Sequence, residues 1–124
     1  PTLAEVLATV PTGKRAFVEV KSGPNTVPAV LRVVKESGLA PAQVIVISFS
    51  ADVVDAVKKE RPDLPAYWIV SLQPAQGKQS PKPEELIEMA KAIRADGLDL
   101  SADPVLTKSF AAKVKAAGLR LYVW

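Results

Sequence analysis

The sequence predicts an α/β fold built on a parallel sheet, and three observations carry that expectation. Segments of strand character alternate with segments of helical periodicity from one end of the chain to the other. Two of the strand segments, Gln43–Phe49 and Ala66–Leu72, are apolar on both faces, as strands covered by helices are. Pro and Gly fall between the segments, where the chain must turn.

The chain opens with a capping box, Thr2-Leu3-Ala4-Glu5, in which the Thr2 hydroxyl and the Glu5 carboxylate can each take a free backbone N–H. A short helix through about Thr9 follows, ended by Pro11-Thr12-Gly13. Residues 16–21 read as a strand that stops at Gly23-Pro24. Asn25 or Thr26 can cap a second helix, with Val27, Val30, Leu31, Val34 and Leu39 at helical spacing and Gly38 as its C-cap. After the Gln43–Phe49 strand, Ser50 caps a helix with Asp52 in its first turn and Val53, Val54 and Val57 inward. Pro62 and Pro65 mark its exit into the Ala66–Leu72 strand.

The polar stretch from Gln73 to Lys82 is the longest irregular segment. It follows a strand, which places it on the ligand-binding side of a parallel sheet. Pro83-Glu84-Glu85 opens a helix with acids at the positive end of its dipole, and Leu86, Ile87, Met89, Ala90 and Ile93 form the expected apolar stripe. Gly97–Ser101 is a short strand. Thr107 caps a last helix bearing Phe110, Val114 and Ala117, closed by Gly118, before a final strand over Leu119–Trp124. Two architectures fit this order: an open doubly wound sheet of five strands, or an incomplete piece of a (β/α)8 TIM barrel, whose whole length is typically about 250 residues.

The 124 residues amount to one domain at most. Their 48% apolar and 23% charged content is ordinary for a globular chain. A net charge of +3 is mild, Lys and Arg are scattered, and aromatics are few, so no nucleic-acid partner is expected. No apolar run approaches the roughly 20 residues that span a membrane, and no membrane insertion is expected. There is no cysteine, hence no disulfide framework, thiolate chemistry or indication of compartment. There is no histidine either, which removes the commonest general acid and base from chemistry confined to these residues. The start at Pro1 without Met and the stop at Trp124 directly after an apolar strand are expected of an incomplete chain.

The strand over residues 16–21 carries the chemistry. Side chains alternate across a strand, so Phe17, Glu19 and Lys21 share one face and Val18 and Val20 the other. The all-apolar face belongs against helices. The charged pair then stands on the opposite face near the strand's C-terminal end, where parallel α/β folds bind ligands. About 6–7 Å of backbone separates the two residues, from a rise of about 3.3 Å each. Glu19 can hold a metal ion while Lys21 meets an anion such as phosphate; equally, the two can simply pair with each other. Asp99 is the second acid at a strand end, read as capping the following loop. Ser48 is read as a local hydrogen-bonder and Trp68 as core, while Trp124 is the better ligand candidate of the two Trp. No Gly-rich phosphate loop is present.

Several motifs, in order, resemble the glycerophosphodiester phosphodiesterase family. Pro1-Thr2-Leu3-Ala4-Glu5-Val6-Leu7 is similar to its "iPTLeEvL" segment, and Phe17-Val18-Glu19-Val20-Lys21 to its "(I/V)E(I/V)K" strand. Val46-Ile47-Ser48-Phe49-Ser50 looks like its "SF" strand and turn. Ala95-Asp96-Gly97-Leu98, Leu106-Thr107 and Ala117-Gly118-Leu119 fit its seventh and eighth units, and Val123-Trp124 the start of "vWTvN".

The resemblance implies a TIM barrel of which residues 1–124 form a partial domain, third helix through eighth strand. It implies hydrolysis of a glycerophosphodiester to an alcohol and glycerol 3-phosphate. Glu19 would bind a divalent metal, Ca or Mg, Lys21 would contact and stabilise the substrate phosphate as the catalytic cation, and Trp124 would wall the substrate pocket. The family's histidines and its other metal-binding acids sit in "HRG…PENT", "E-x-D" and "HD" motifs that this chain lacks, so these residues alone are expected to be inactive and marginally stable. Two other functions remain open on the residues: a Schiff-base lyase using Lys21 as nucleophile, and a non-catalytic α/β binding module.

Overall fold

The computed structural model describes residues 1–124 as one five-stranded sheet whose spatial order, β1-β2-β3-β4-β5, is also the sequence order. The strands are β1 (Ala16–Glu19), β2 (Val44–Ser48), β3 (Ala66–Val70), β4 (Gly97–Leu100) and β5 (Arg120–Val123), and each neighbouring pair is parallel. The helices are α1 (Leu3–Leu7), α2 (Val27–Glu36), α3 (Ala51–Glu60), α4 (Pro83–Ala92) and α5 (Lys108–Ala116). A doubly wound sheet reverses direction at a switch point; this one advances without reversal, as a barrel does. Right-handed crossovers then put every intervening helix on one face. Of the two architectures open to the sequence, the structure selects the incomplete barrel. No helix is long and apolar enough to cross a membrane.

The helix-side face holds the main core. Val44, Val46, Ala66, Leu98 and Leu100 alternate along their strands and pack against Val27, Val34, Val53, Val57, Ala90 and Val114 of the helices. The caps follow the sequence closely. Thr2 and Glu5 form the reciprocal box, Ser50 accepts from the Val53 N–H, and Thr107 accepts from the Phe110 N–H.

Three local expectations differ. Thr26 stands at the N-cap of α2, but its side chain does not cap it: residues 24–26 form a 3-10 turn, and the Thr26 hydroxyl donates backward to the Gly23 carbonyl. Met89 faces solvent, because Leu86, Ala90 and Ile93 already complete a four- and three-residue step across the buried side of α4. Gln43 is not in a strand but in a short turn, where its amide bridges to the Pro11 and Lys14 carbonyls before β1.

One charged group is anchored inside. Lys58 on α3 is buried, and its ammonium donates to the Pro62 carbonyl (2.6 Å), the Leu64 carbonyl (3.0 Å) and the Asp96 carboxylate (2.8 Å). All three protons are used. The same Asp96 oxygen accepts from the Ala66 N–H, tying the start of β3 to the start of β4.

The opposite face is concave and lined by aromatics. Laid flat, β1 and β5 would stand about 19 Å apart, four spacings of about 4.8 Å. Yet the Phe17 ring on β1 meets the Tyr122 ring on β5 edge-on at 5.3 Å, and Tyr122 stacks on Tyr67 of β3 at 5.2 Å. The sheet is therefore curled until residues of its two edges touch, the curvature of a barrel wall. β1 and β5 each pair on one side only.

Two outcomes are expected of these contacts. Asp96→Ala leaves the buried Lys58 ammonium short of a partner and costs about 2 kcal/mol or more, whereas Lys58→Met removes charge and need together and costs less; urea unfolding of both variants checks the order. Burial, reinforced by Tyr122, pushes the Tyr67 phenol above its ordinary value. A raised acid favours its protonated form in the fold, so this stability is present below about pH 10 and lost as pH rises beyond it. Unfolding midpoints measured across that range should fall less steeply in Tyr67→Phe.

Candidate functional site

Two adjoining depressions open at the C-terminal ends of the strands. The first, about 360 Å³, lies between Glu19, Val20 and Lys21 on one side and Ser48, Phe49 and Ser50 on the other. The second, about 320 Å³, is bounded by Glu19, Lys21, Ile47, Phe49, Ile69, Asp99 and Trp124. Glu19, Lys21 and Phe49 belong to both. The register explains the grouping: Glu19 pairs with Ile47, Ile69 with Asp99, and Asp99 with Tyr122, so their side chains leave the sheet on its concave face.

Glu19 and Lys21 stand together as alternation requires. Their charged ends are 3.7 Å apart, with the Glu19 side chain 32% and the Lys21 side chain 80% exposed. So loose and open a pair contributes little stability. Both groups stay free to turn to a ligand.

Asp99 differs from its expected role. It caps nothing; Asp103 caps the following loop instead, accepting from the Val105 N–H. Asp99 lies on the inner side of β4, only 8% exposed. Burial raises its carboxyl above the usual range, and the negative charge of Glu19 adds to the rise. Two acids thus share one cavity, one open and one buried.

Trp124 is at the mouth, 53% exposed, with its ring edge-on to Phe49 at 5.8 Å. Its backbone is held at both ends, donating to the Leu100 carbonyl and accepting from the Ala102 N–H. Phe49 was not singled out from the sequence, although Ile45, Ile47 and Phe49 share one inward-facing alternation that would have marked it. Ser48 points to the other face, where its hydroxyl donates to the Val20 carbonyl (2.7 Å) and accepts from the Ser50 N–H. That stitch holds the end of β1 against the end of β2. Trp68 is likewise structural: it packs on the helix-side core, and its indole N–H donates to the Phe49 carbonyl at 3.1 Å, fixing the turn that carries the Phe49 ring.

Ca and Mg take about six or more oxygen ligands, and Glu19 offers a carboxylate of suitable hardness. No group of three or more His, Cys, Asp or Glu stands together in the chain, so residues 1–124 do not complete a metal site by themselves.

No protein-family model and no curated protein matches the chain. Solved structures do. A glycerophosphodiester phosphodiesterase from Parabacteroides distasonis superposes with a TM-score of 0.75 at 23% identity, covering 100% of this chain and 50% of that one. One from Thermotoga maritima gives 0.70 at 19% identity, with 100% and 50% coverage. A candidate enzyme of the same name from Galdieria sulphuraria gives 0.78 at 20% identity, again with 100% and 50% coverage. The chain spans about half the length of these structures. In fold, this chain is one half of a barrel of the kind on which glycerophosphodiester phosphodiesterases are built.

Proposed function

We propose that residues 1–124 are the C-terminal half of a metal-dependent phosphodiesterase barrel that hydrolyses glycerophosphodiesters to an alcohol and glycerol 3-phosphate. The observation that supports this best is the placement of Glu19 and Lys21 side by side at the mouth of the concave face. Both open into a cavity walled by Phe49 and Trp124.

In this reading the Lys21 ammonium meets a non-bridging oxygen of the phosphate. Charge grows on those oxygens as phosphorus is attacked, so a fixed cation there favours the transition state over the ground state. Glu19, 3.7 Å away, would give its carboxylate to a Ca or Mg ion whose other ligands come from outside these residues. Such an ion would polarise a phosphoryl oxygen. Trp124 and Phe49 cover the carbon skeleton of the substrate and keep water from one side of it.

The lyase alternative is less well supported. Schiff-base lysines are activated by apolar burial or a neighbouring cation, whereas Lys21 is exposed and beside a carboxylate. The binding-module alternative leaves the curled sheet with two unpaired edges and no account of its acids and lysine.

Glycerophosphodiester turnover by the full-length protein carrying this chain is the direct test. Glu19→Ala should abolish it and Lys21→Ala should lower kcat by about 10²–10³-fold, while residues 1–124 alone should show none. Wild-type turnover in Glu19→Ala overturns the assignment. Borohydride trapping of a carbonyl compound on Lys21 would transfer support to the lyase.

A further inference from the structure

Residues 71–82, between the end of β3 and the start of α4, form the longest connection at the mouth; β2 reaches α3 through residues 49–50 alone. Both ends of this loop are fastened. Leu72 is fully buried and its N–H donates to the Ser101 hydroxyl at 2.8 Å. The Lys82 N–H donates to the Glu85 carboxylate at 3.0 Å, just ahead of Pro83 in the first turn of α4. Between these anchors nothing holds the chain down. Residues 73–79 are all exposed. Residues 74–81 make a single hydrogen bond, and it is local: the Lys78 N–H donates to the Ala75 carbonyl at 2.8 Å and closes a turn at Gly77, whose φ is +76°.

β3 is the middle strand of the five. The segments flanking the loop at the mouth, residues 49–50 and 101–107, therefore belong to this chain, and neither bonds to residues 74–81. Such a segment moves without breaking a contact, and a ligand must supply what ordering it costs. Lys78 is the one cation between the anchors, and it pairs with no acid of this chain.

The charges at the mouth favour closure onto an anion. This chain lines the two depressions with one cation, Lys21, against two acids, Glu19 and Asp99. A phosphate held by Lys21 gains from a second ammonium. The loop is long enough to bring one. β3 and β1 stand two strand spacings apart, about 10 Å. The stretch from Lys78 to its nearer anchor, Lys82, spans about 13 Å when extended, and the lysine stem adds its own length.

We propose that residues 73–82 are a lid that folds inward over a phosphate group bound at the mouth and delivers the Lys78 ammonium to it as a second cation. This deepens the phosphodiesterase reading and rests on it for the phosphate. Closure also takes water from the ion pairs it forms, which strengthens them.

Trypsin digestion of the full-length protein reads the lid directly. Lys82 is followed by Pro83, a bond that trypsin leaves intact, so a cut within the loop reports Lys78 alone. In the free protein the Lys78–Gln79 bond should be cut ahead of the chain's other sites. Saturating inorganic phosphate should slow that cut about five-fold or more, and potassium chloride of equal ionic strength should not. Calorimetric phosphate binding should weaken about five- to ten-fold in Lys78→Gln and stay near wild type in Lys78→Arg, with the unfolding temperature unchanged in both. Resistance of the bond in the free protein overturns the proposal, since it would mark a loop already held by the rest of the barrel. So does a cut that phosphate does not slow, or phosphate binding indifferent to Lys78→Gln. A protein that cleaves no diester, yet closes its loop on phosphate through Lys78, loses the phosphodiesterase reading and keeps the lid. A protein that cleaves diesters while its loop is cut equally fast with and without phosphate does the reverse.

Discussion

The contact of Phe17 with Tyr122 across the concave face is the constraint on which the candidate site depends. These residues belong to the two edge strands, and they meet because the sheet curls around Tyr67. Aromatic pairs of this kind contribute about 0.5–1.5 kcal/mol each beyond their buried area. Their larger consequence is geometric. Once β1 and β5 face each other, Glu19 at the end of one comes opposite Asp99 and Trp124 at the ends of the others, and a single cavity forms between them. On a flat sheet the same residues would line a row and enclose nothing.

The two faces of the sheet divide the labour. The helix side is dry and packed, with its one buried ammonium fully bonded to Pro62, Leu64 and Asp96. The concave side of these residues carries Asp99 without a hydrogen bond, an open Lys21, and the half-exposed rings of Phe17, Phe49 and Trp124. Ser48 and Trp68 link the sides: each sits on the helix face, and each hydrogen-bonds a backbone carbonyl of the segment that carries a mouth residue.

Much of this was legible in the sequence, because alternation on a strand is a strict rule. The positions of Glu19 and Lys21 on one face follow from a period of two and one apolar neighbour set. The parallel sheet follows from Gln43–Phe49 and Ala66–Leu72 reading as apolar on both faces. The choice between a barrel and a doubly wound sheet did not follow, since strand order is a long-range property that no local window contains. Asp99 was misread for a related reason. An acid at a strand end beside a loop has the local pattern of a cap, and only the register with Ile69 and Tyr122 shows that it points inward. Met89 was misread more simply: Leu86, Ala90 and Ile93 already fill the buried side of α4.

The central claim is the curl itself, and ring-to-ring nuclear Overhauser effects between Phe17 and Tyr122 measure it most directly. A selectively labelled sample of the full-length protein should show strong cross-peaks between the two rings, matching centroids 5.3 Å apart, together with cross-peaks from Tyr122 to Tyr67. If Phe17 instead shows contacts only with its neighbours on β1 and β2, the sheet is open. Glu19, Asp99 and Trp124 would then belong to no common cavity, and the account of the site would be contradicted.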